Sequence, residues 1–373
     1  MRVAIVGGSM AGMFAAALLQ RSGHAVQVFE RSRSGLEGRG AGLVAQSEVF
    51  SLLEVLGLGD MARTGVVARE RITLDRAGAV VRRDRHPQMQ ISWDRLYSAL
   101  RSRLEDGSYR TGRGVVAAGQ EQDAAWLRFE DGTQVDADLV IGADGIGSVI
   151  RPAVLGRKTE VTYAGYVAWR ALLPETALPE EAAGVLSDRF AFHHAPRSQV
   201  LGYTIPGPSG GLEAGRRRYN CVWYRRTDDL RAALTDVAGR HHPFSIPPGS
   251  VADAARERLV ADAEELLPPP FAAVIVAETR PFLQAVFDME TERMVNGRLA
   301  LIGDAAFVAR PHTAMGVAKA AGDALAVASA VAQGWSAAAQ SAFELDRTTV
   351  GKSIVEYGKR LGSSLGVATP LSV

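Results

Sequence analysis

The sequence predicts an α/β protein, a Rossmann-like βαβ domain carrying an inserted, mainly β domain, and three observations lead there. The chain opens on a short apolar run stopped by glycines, MRVAIVGG, then a helical pattern, MFAAALLQRSGH, then a second β-type run, AVQVFE. Two later segments, ADLVIGADG and RLALIGDAAF, repeat the design of a buried strand running into a glycine turn. Between them, from Tyr163 to about Phe287, lie β-type stretches (YVAWRALL, VLGYTIPG, YNCVWYRR) and proline clusters at Pro247 and Pro268 to Pro270.

The remaining elements follow the same logic. Val49 to Leu58 reads as a helix ended at Gly57 or Gly59, and Ile72 to Arg83 alternates as a hairpin turning at Ala77 and Gly78. Leu96, Leu100 and Leu104 recur at helical spacing, and WLRFEDGTQV is a hairpin with an Asp131 and Gly132 turn. A helical piece near Asp253 to Glu265 interrupts the β section, and alanine-rich helices run to about Arg360. A chain of 373 residues exceeds what one core usually holds. The expected division is a discontinuous dinucleotide-binding domain (1–70, 97–158 and 280–345), a substrate-binding sheet domain (71–96 and 159–279), and a C-terminal helix and tail (346–373).

Composition excludes several classes. Hydrophobic residues make up 47% and 42 basic side chains balance 41 acidic ones, so there is no electrostatic case for a nucleic acid or an anionic membrane as partner. The longest apolar segments, such as Ala324 to Ala332, are too short for a bilayer. The single cysteine, Cys221, reads as a buried structural residue, and no secretory pattern precedes Val3, which makes a cytoplasmic location the expectation. His193, His194, His241 and His242 lack carboxylate or cysteine company, so no metal is expected. A monomer and a homodimer are both compatible with the sequence.

The strongest local signal is Gly7, Gly8, Ser9, Met10, Ala11 and Gly12, placed between a strand and a helix. A tight turn there lets a pyrophosphate approach the helix N-terminus. The second glycine of the usual fingerprint is Ser9, which is small enough to keep the assignment. Glu30 ends the second strand at about the 20-residue distance where an acidic side chain accepts hydrogen bonds from a ribose. Arg31 and Arg39 read equally as phosphate partners or as a solvated basic loop.

Two further motifs distinguish FAD from NAD. GADG supplies Asp144, with Ser148 and Arg151 beyond it, and IGDAA supplies Gly303 and Asp304. A carboxylate just after a buried strand can accept a hydroxyl from a ribityl chain, which points to Asp304. Asp144 reads equally as a brace for its own turn and for Arg151.

GGSMAG with Glu30 and Arg31, GADGIGSVIR, and GDAAFVARPHTAMG stand in the order and separation of a known family. The chain resembles the class A flavoprotein monooxygenases, those similar to para-hydroxybenzoate hydroxylase, over nearly its whole length. Within them, GGS, YAGYVAWR, RMVNGRLALIGDAA and RPHTAMGVAKA resemble the hydroxypyridine hydroxylases. The resemblance implies a PHBH-type fold, non-covalent FAD, and transient reduction by NADPH or NADH without a second Rossmann domain. It places Asp304 at the ribityl chain, Pro311 beside the flavin ring, and the helix start at Gly316 by the pyrimidine edge. It implies oxygen transfer from a flavin hydroperoxide to a small hydroxylated aromatic or N-heteroaromatic ring, with that ring and O2 as the partners. Four positions depart from the pattern: Phe307, Ala318, Ala314 and Trp93.

Three residues are candidates for the catalytic side. His312 follows Pro311 and reads equally as a base or hydrogen-bonding partner for a ring hydroxyl and as a structural cap of the following helix. Tyr203, on a predicted strand, reads as a substrate contact or, more readily, a core tyrosine. Arg170 reads as an orienter of an acidic substrate or, preferably, as one half of a structural pair with a carboxylate. Rival readings are another flavoenzyme of the same fold (epoxidase, halogenase or reductase), a non-catalytic flavin-binding protein, and a plain NAD dehydrogenase. GYTIP lacks the tryptophans usual in halogenases, and the last rival leaves GADG and GDAA unexplained.

Overall fold

Apolar β-branched runs need both faces covered, and the first strand (Arg2–Val6) obtains this at the centre of a six-stranded sheet. The strand order is Val295–Asn296, Leu299–Leu301, Leu139–Gly142, Arg2–Val6, Ala25–Phe29, Tyr109–Arg110, parallel except for the first pair. The computed structural model describes residues 1–36, 42–44, 46–62 and 64–364. Chain order reverses across the first strand, which has Ala25–Phe29 on one side and Leu139–Gly142 on the other. Such a switch point leaves a crevice at the carboxyl ends of the strands. The helix Met10–Arg21 is buried over most of its length because alanines let it lie close against the helix Gly316–Ala332.

The inserted part is an eight-stranded sheet. Its order is Ser245–Ile246, Phe282–Asp288, Thr162–Pro174, Arg218–Arg226, Ser198–Ile205, Arg189–Ala195, Glu70–Leu74, Val80–Asp84. Side chains alternate across it. Ala171, Leu173, Tyr219, Cys221 and Trp223 join the core under the helices Asp253–Leu266 and Pro269–Ala277, whereas Tyr166, Ala168, Tyr203, Val222 and Tyr224 form a cluster on the other face. Two three-stranded sheets complete the fold: Val115–Gln120, Ala125–Phe129 and Gln134–Ala137, and Gly42–Val44, Gln88–Ser92 and Val66–Ala68. Among the described residues no helix is long and apolar enough to cross a membrane.

Three expected boundaries shift. Phe282–Asp288 follows the expected boundary at 280, yet it pairs with Thr162–Pro174 inside the large sheet. Gln88–Ser92 leaves that sheet for the small one, and the helix Trp93–Arg101 sends Leu96, Tyr97 and Leu100 into the core of the first domain. The boundary at 346 falls inside one helix, Ala337–Ser364. In each case hydrogen bonding to a strand distant in sequence, or continuity of one helix, overrides the local change in composition on which the boundary rested.

Candidate active site

At the amino-terminal turn, Gly7 has φ +102°, and a β-carbon there would overlap the Ala143 carbonyl, so the two glycine turns pack backbone to backbone. Glu30 is buried; its Oε2 accepts the Gly8 N–H at 2.9 Å and its Oε1 accepts the Ser32 N–H at 2.8 Å. It therefore fixes the loop as well as ending the strand. Ser9 stands at the N-cap of the helix Met10–Arg21 without a side-chain cap bond. Arg39 lies outside the described residues.

Asp144 braces its own turn: Oδ2 accepts Val149 N–H at 2.7 Å, while the buried Oδ1 has no partner. Burial pushes its carboxyl above the usual range, against hydrogen bonds from Ser148 and the backbone. Arg151 spends its donors on the carbonyls of Ala305 (3.1 Å) and Ile146 (2.8 Å), not on an ion pair with Asp144. This corrects the bracing of Arg151 by Asp144: Arg151 ties the GADG turn to the residue after Asp304.

Gly303, at φ +62°, opens the turn that presents Asp304, and a β-carbon on it would stand 2.7 Å from Ala11 Cβ. The late turn thus sits directly on the first helix, and the two halves of the dinucleotide site adjoin. The Asp304 side chain opens onto a cavity and has no hydrogen bond or ion pair among the described residues. Its surface is exposed to that cavity, and while the surrounding protein pushes its carboxyl up, the Lys319 ammonium opposes this. Behind it, buried Asp323 receives Gly303 N–H (2.9 Å), Lys319 Nζ (3.3 Å) and Arg347 Nε (2.7 Å). An acceptor carboxylate without a partner, flanked by glycine turns and a helix N-terminus, fits a flavin dinucleotide.

The cavity, about 480 Å³, lies between this turn and the inserted sheet. Arg31, Asp304, Pro311 and Gly316 line it from one side, and Arg170, Tyr203 and His312 line it with Tyr224, Phe190 and Gln284. Seven residues chosen from sequence are therefore brought together. Gly7, Gly8, Ser9, Ala11, Gly12, Glu30 and Asp144 lie off this cavity and join it through the contact of Ala11 with Gly303.

His312 is held on both nitrogens. Nε2 is 3.2 Å from the Gly358 carbonyl, which can only accept, so Nδ1 is left to accept from the Tyr166 hydroxyl at 3.3 Å. Burial lowers its pKa to about 4, helped by the nearby Arg310. The imidazole is neutral at physiological pH. The helical cap is corrected: Met315 is the N-cap of Gly316–Ala332 and has no side-chain cap, while His312 bonds the final helix instead. Arg310 and Asp288 form a buried two-pronged pair at 2.7 and 2.5 Å, fixing the loop before Pro311 to the large sheet.

Tyr203 stacks on Phe190 with centroids 4.5 Å apart, and burial pushes its hydroxyl up. Arg170 also departs from its preferred reading. It has no carboxylate partner among the described residues, only the Asn220 amide oxygen at 3.5 Å and the Phe282 ring at 5.5 Å. The four departures are accommodated locally. Phe307 packs on Gly351 of the final helix, Trp93 stacks on Tyr97 at 4.9 Å, Ala318 is buried in the first core, and Ala314 holds φ +55°, a conformation glycine would take without strain.

Tyr166, Tyr224, Asn220, Arg310 and Asp288 were missed. The sequence carried one signal for the first: period-two alternation in YAGYVAWRALL places Tyr166 and Arg170 on one face. The others depend on strand pairing.

Fold and site together define the class, a protein that holds FAD at the switch point of a mainly parallel sheet and presents it to an inserted, mainly antiparallel sheet. Family models agree: an NAD(P)-binding Rossmann-like domain matches residues 5–45, an FAD binding domain-like model residues 163–288, and an FAD binding domain residues 248–356. The chain is 34% identical to 2,6-dihydroxypyridine 3-monooxygenase of Paenarthrobacter nicotinovorans, over 88% of this chain and 82% of that protein. It superposes on the structure of 2,6-dihydroxypyridine-3-hydroxylase from Arthrobacter nicotinovorans with a TM-score of 0.90 and 32% identity, covering 100% of this chain and 95% of that one. The chain belongs to the class A flavoprotein monooxygenases and is an FAD-dependent aromatic-ring monooxygenase that uses a nicotinamide nucleotide as reductant. It is also 26% identical to 6-hydroxynicotinate 3-monooxygenase of Pseudomonas fluorescens, over 86% of this chain and 80% of that protein.

Proposed function

We propose that the substrate is a small hydroxypyridine, bound in the cavity between Asp304 and the large sheet. The observation that carries this reading is the single cavity on which Asp304, Pro311 and Gly316 meet Tyr203, Arg170, His312 and Tyr224. It is large enough for one ring, and polar tips on an aromatic wall suit a flat, hydroxylated heterocycle. The similarity to hydroxypyridine monooxygenases supports the same choice.

In this reading non-covalent FAD is held by the Gly7 to Gly12 turn and Glu30 at its ADP half, with Arg31 near the phosphates. Asp304 holds the ribityl chain, and Pro311 and Gly316 hold the ring. Asp144 acts indirectly, by shaping the Ala143 turn against Gly7. Bound FAD supplies the electrons that activate O2. The protein's own part is to place the ring carbon, exclude water and hold the substrate hydroxyl. Neutral His312, with Nδ1 shared by Tyr166, is a poor proton sink; it positions the loop and offers its face to the substrate. Tyr203 and Tyr224 present hydroxyls from the sheet. Cys221, buried on the opposite face with its thiol pushed up, takes no part, and a lone protected thiol suits the cytoplasm.

The test is oxidation of NADH and NADPH by the holoenzyme with a panel of hydroxypyridines and phenols under 18O2, with products weighed by mass spectrometry. One labelled oxygen in a hydroxypyridine is expected. Nucleotide oxidation that yields only hydrogen peroxide with every hydroxypyridine would overturn the substrate class.

A further inference from the structure

A guanidinium withdrawn from water is normally neutralised by a carboxylate, because an uncompensated charge in a low-dielectric wall is costly. Other arginines of this sheet obey the rule. Arg218 pairs with Asp94 at 2.9 Å, Arg225 with Asp262 at 2.6 Å, and Arg217 with Glu175 and Asp188. Arg170 does not. Its Nε is buried without a partner, its Nη2 reaches a neutral amide oxygen at 3.5 Å, and the side chain borders the cavity. Asn220 is fully buried behind it, with Nδ2 also unpartnered. Strand register explains the juxtaposition: Arg170 opposes Val222, two residues from Asn220 on the same face, and Asn220 opposes Tyr203.

We propose that Arg170 is the counterion of an anionic ring substrate, and that Asn220 stands where a carboxylate would otherwise neutralise it. The ligand class is a ring oxyanion: a hydroxypyridine that has released a ring-hydroxyl proton to solvent. This deepens the hydroxypyridine reading and rests on it. Among the described residues lining the cavity, Asp304 carries the carboxylate, and no ion pair joins it to Arg170. Tyr203 and Tyr224 stay protonated because burial pushes their hydroxyls up. His312 is neutral, Arg31 is a second cation, and Asp304 is influenced by Lys319 and Asp323 on the cofactor side. Phe282 and Gln284 flank Arg170 without charge. An oxyanion is also the more electron-rich ring, so binding this form selects the reactive species.

The experiment is ultraviolet difference titration of the FAD holoenzyme with 2,6-dihydroxypyridine and with 2,6-dimethoxypyridine, which cannot ionise, at several pH values. The wild type should bind the dihydroxy compound at least tenfold more tightly and lower its ionisation by about one pH unit. Arg170→Met should remove both effects while flavin content is retained, and Arg170→Lys should restore part of them. Asn220→Asp, which keeps Arg170 and supplies an internal counterion, should also remove them. Equal binding of the two compounds by the wild type, or an unchanged preference in Arg170→Met, overturns the proposal. If hydroxybenzoates are hydroxylated with the same Arg170 dependence and hydroxypyridines are not, the counterion role stands and the hydroxypyridine assignment falls.

Discussion

The amino-terminal glycine turn and the substrate-facing wall reach their geometry in opposite ways. In the turn, contacts are made by backbone, so close that Gly7 leaves no room for a β-carbon beside Ala143, and the side chains involved serve that backbone, Glu30 accepting from its amides and Tyr109 donating to the Gly8 carbonyl. In the wall, the working groups stand on strands from 162 to 288 and are set by side-chain pairs such as Tyr166 with His312 and Arg310 with Asp288. Sterics forbid alternatives in the first region. In the second they are only made less favourable, since a different polar partner could replace each existing one. The turn should therefore fail sharply on a minimal change, and the wall gradually.

Gly7→Ala gives the largest effect if this contrast holds. The methyl group meets the Ala143 carbonyl at a φ of +102°, so the turn must open. A loss of about 3 kcal/mol or more in stability, with little flavin retained, is expected from chemical denaturation and the flavin-to-protein absorbance ratio. Near-normal flavin content would show the turn to be as adaptable as the wall.

Asp304→Asn probes the border between the two regions. The carboxylate has no partner to lose among the described residues, so folding should survive while FAD affinity falls about tenfold, or roughly 1.4 kcal/mol. Flavin fluorescence during dilution reads this directly. Unchanged affinity would remove Asp304 from the cofactor site.

His312 yields the most graded effect, read against pH. Its native pKa, about 4, lies below the ordinary value of 6.5, so the unfolded chain binds the proton first. The contribution of the neutral imidazole is complete above about pH 6.5 and is lost as pH falls towards 4. Over that window wild type should lose up to about 3 kcal/mol more than His312→Gln, by denaturant titration at each pH. Parallel curves would mean that the imidazole is not held as described.

The contrast also explains what could be read before the fold was known. Glu30, Gly7 and Asp304 announce themselves because a dinucleotide turn is a local device, with strand, glycines and helix consecutive in the chain. The carboxylate partner that the sequence favours for Arg170 is not found among the described residues, because its neighbours are set by strand pairing. Asn220 gave no signal: its place behind Arg170 follows from the register of Arg218–Arg226 with Thr162–Pro174. The misplaced boundary at 280 has the same origin, in the pairing of Phe282–Asp288.

By itself the sequence determined the class of fold, the dinucleotide turn, the carboxylate after the late strand and the family pattern. These depend on periodicity and on glycine's backbone freedom, which neighbours in the chain already specify. The tertiary structure alone decided that one cavity joins Asp304 to the inserted sheet, that His312 is locked between Tyr166 and Gly358, and that Arg170 faces that cavity with no carboxylate partner among the described residues. Burial and charge pairing are properties of what surrounds a residue, and here the surroundings come from segments 46 to 146 residues apart in the chain.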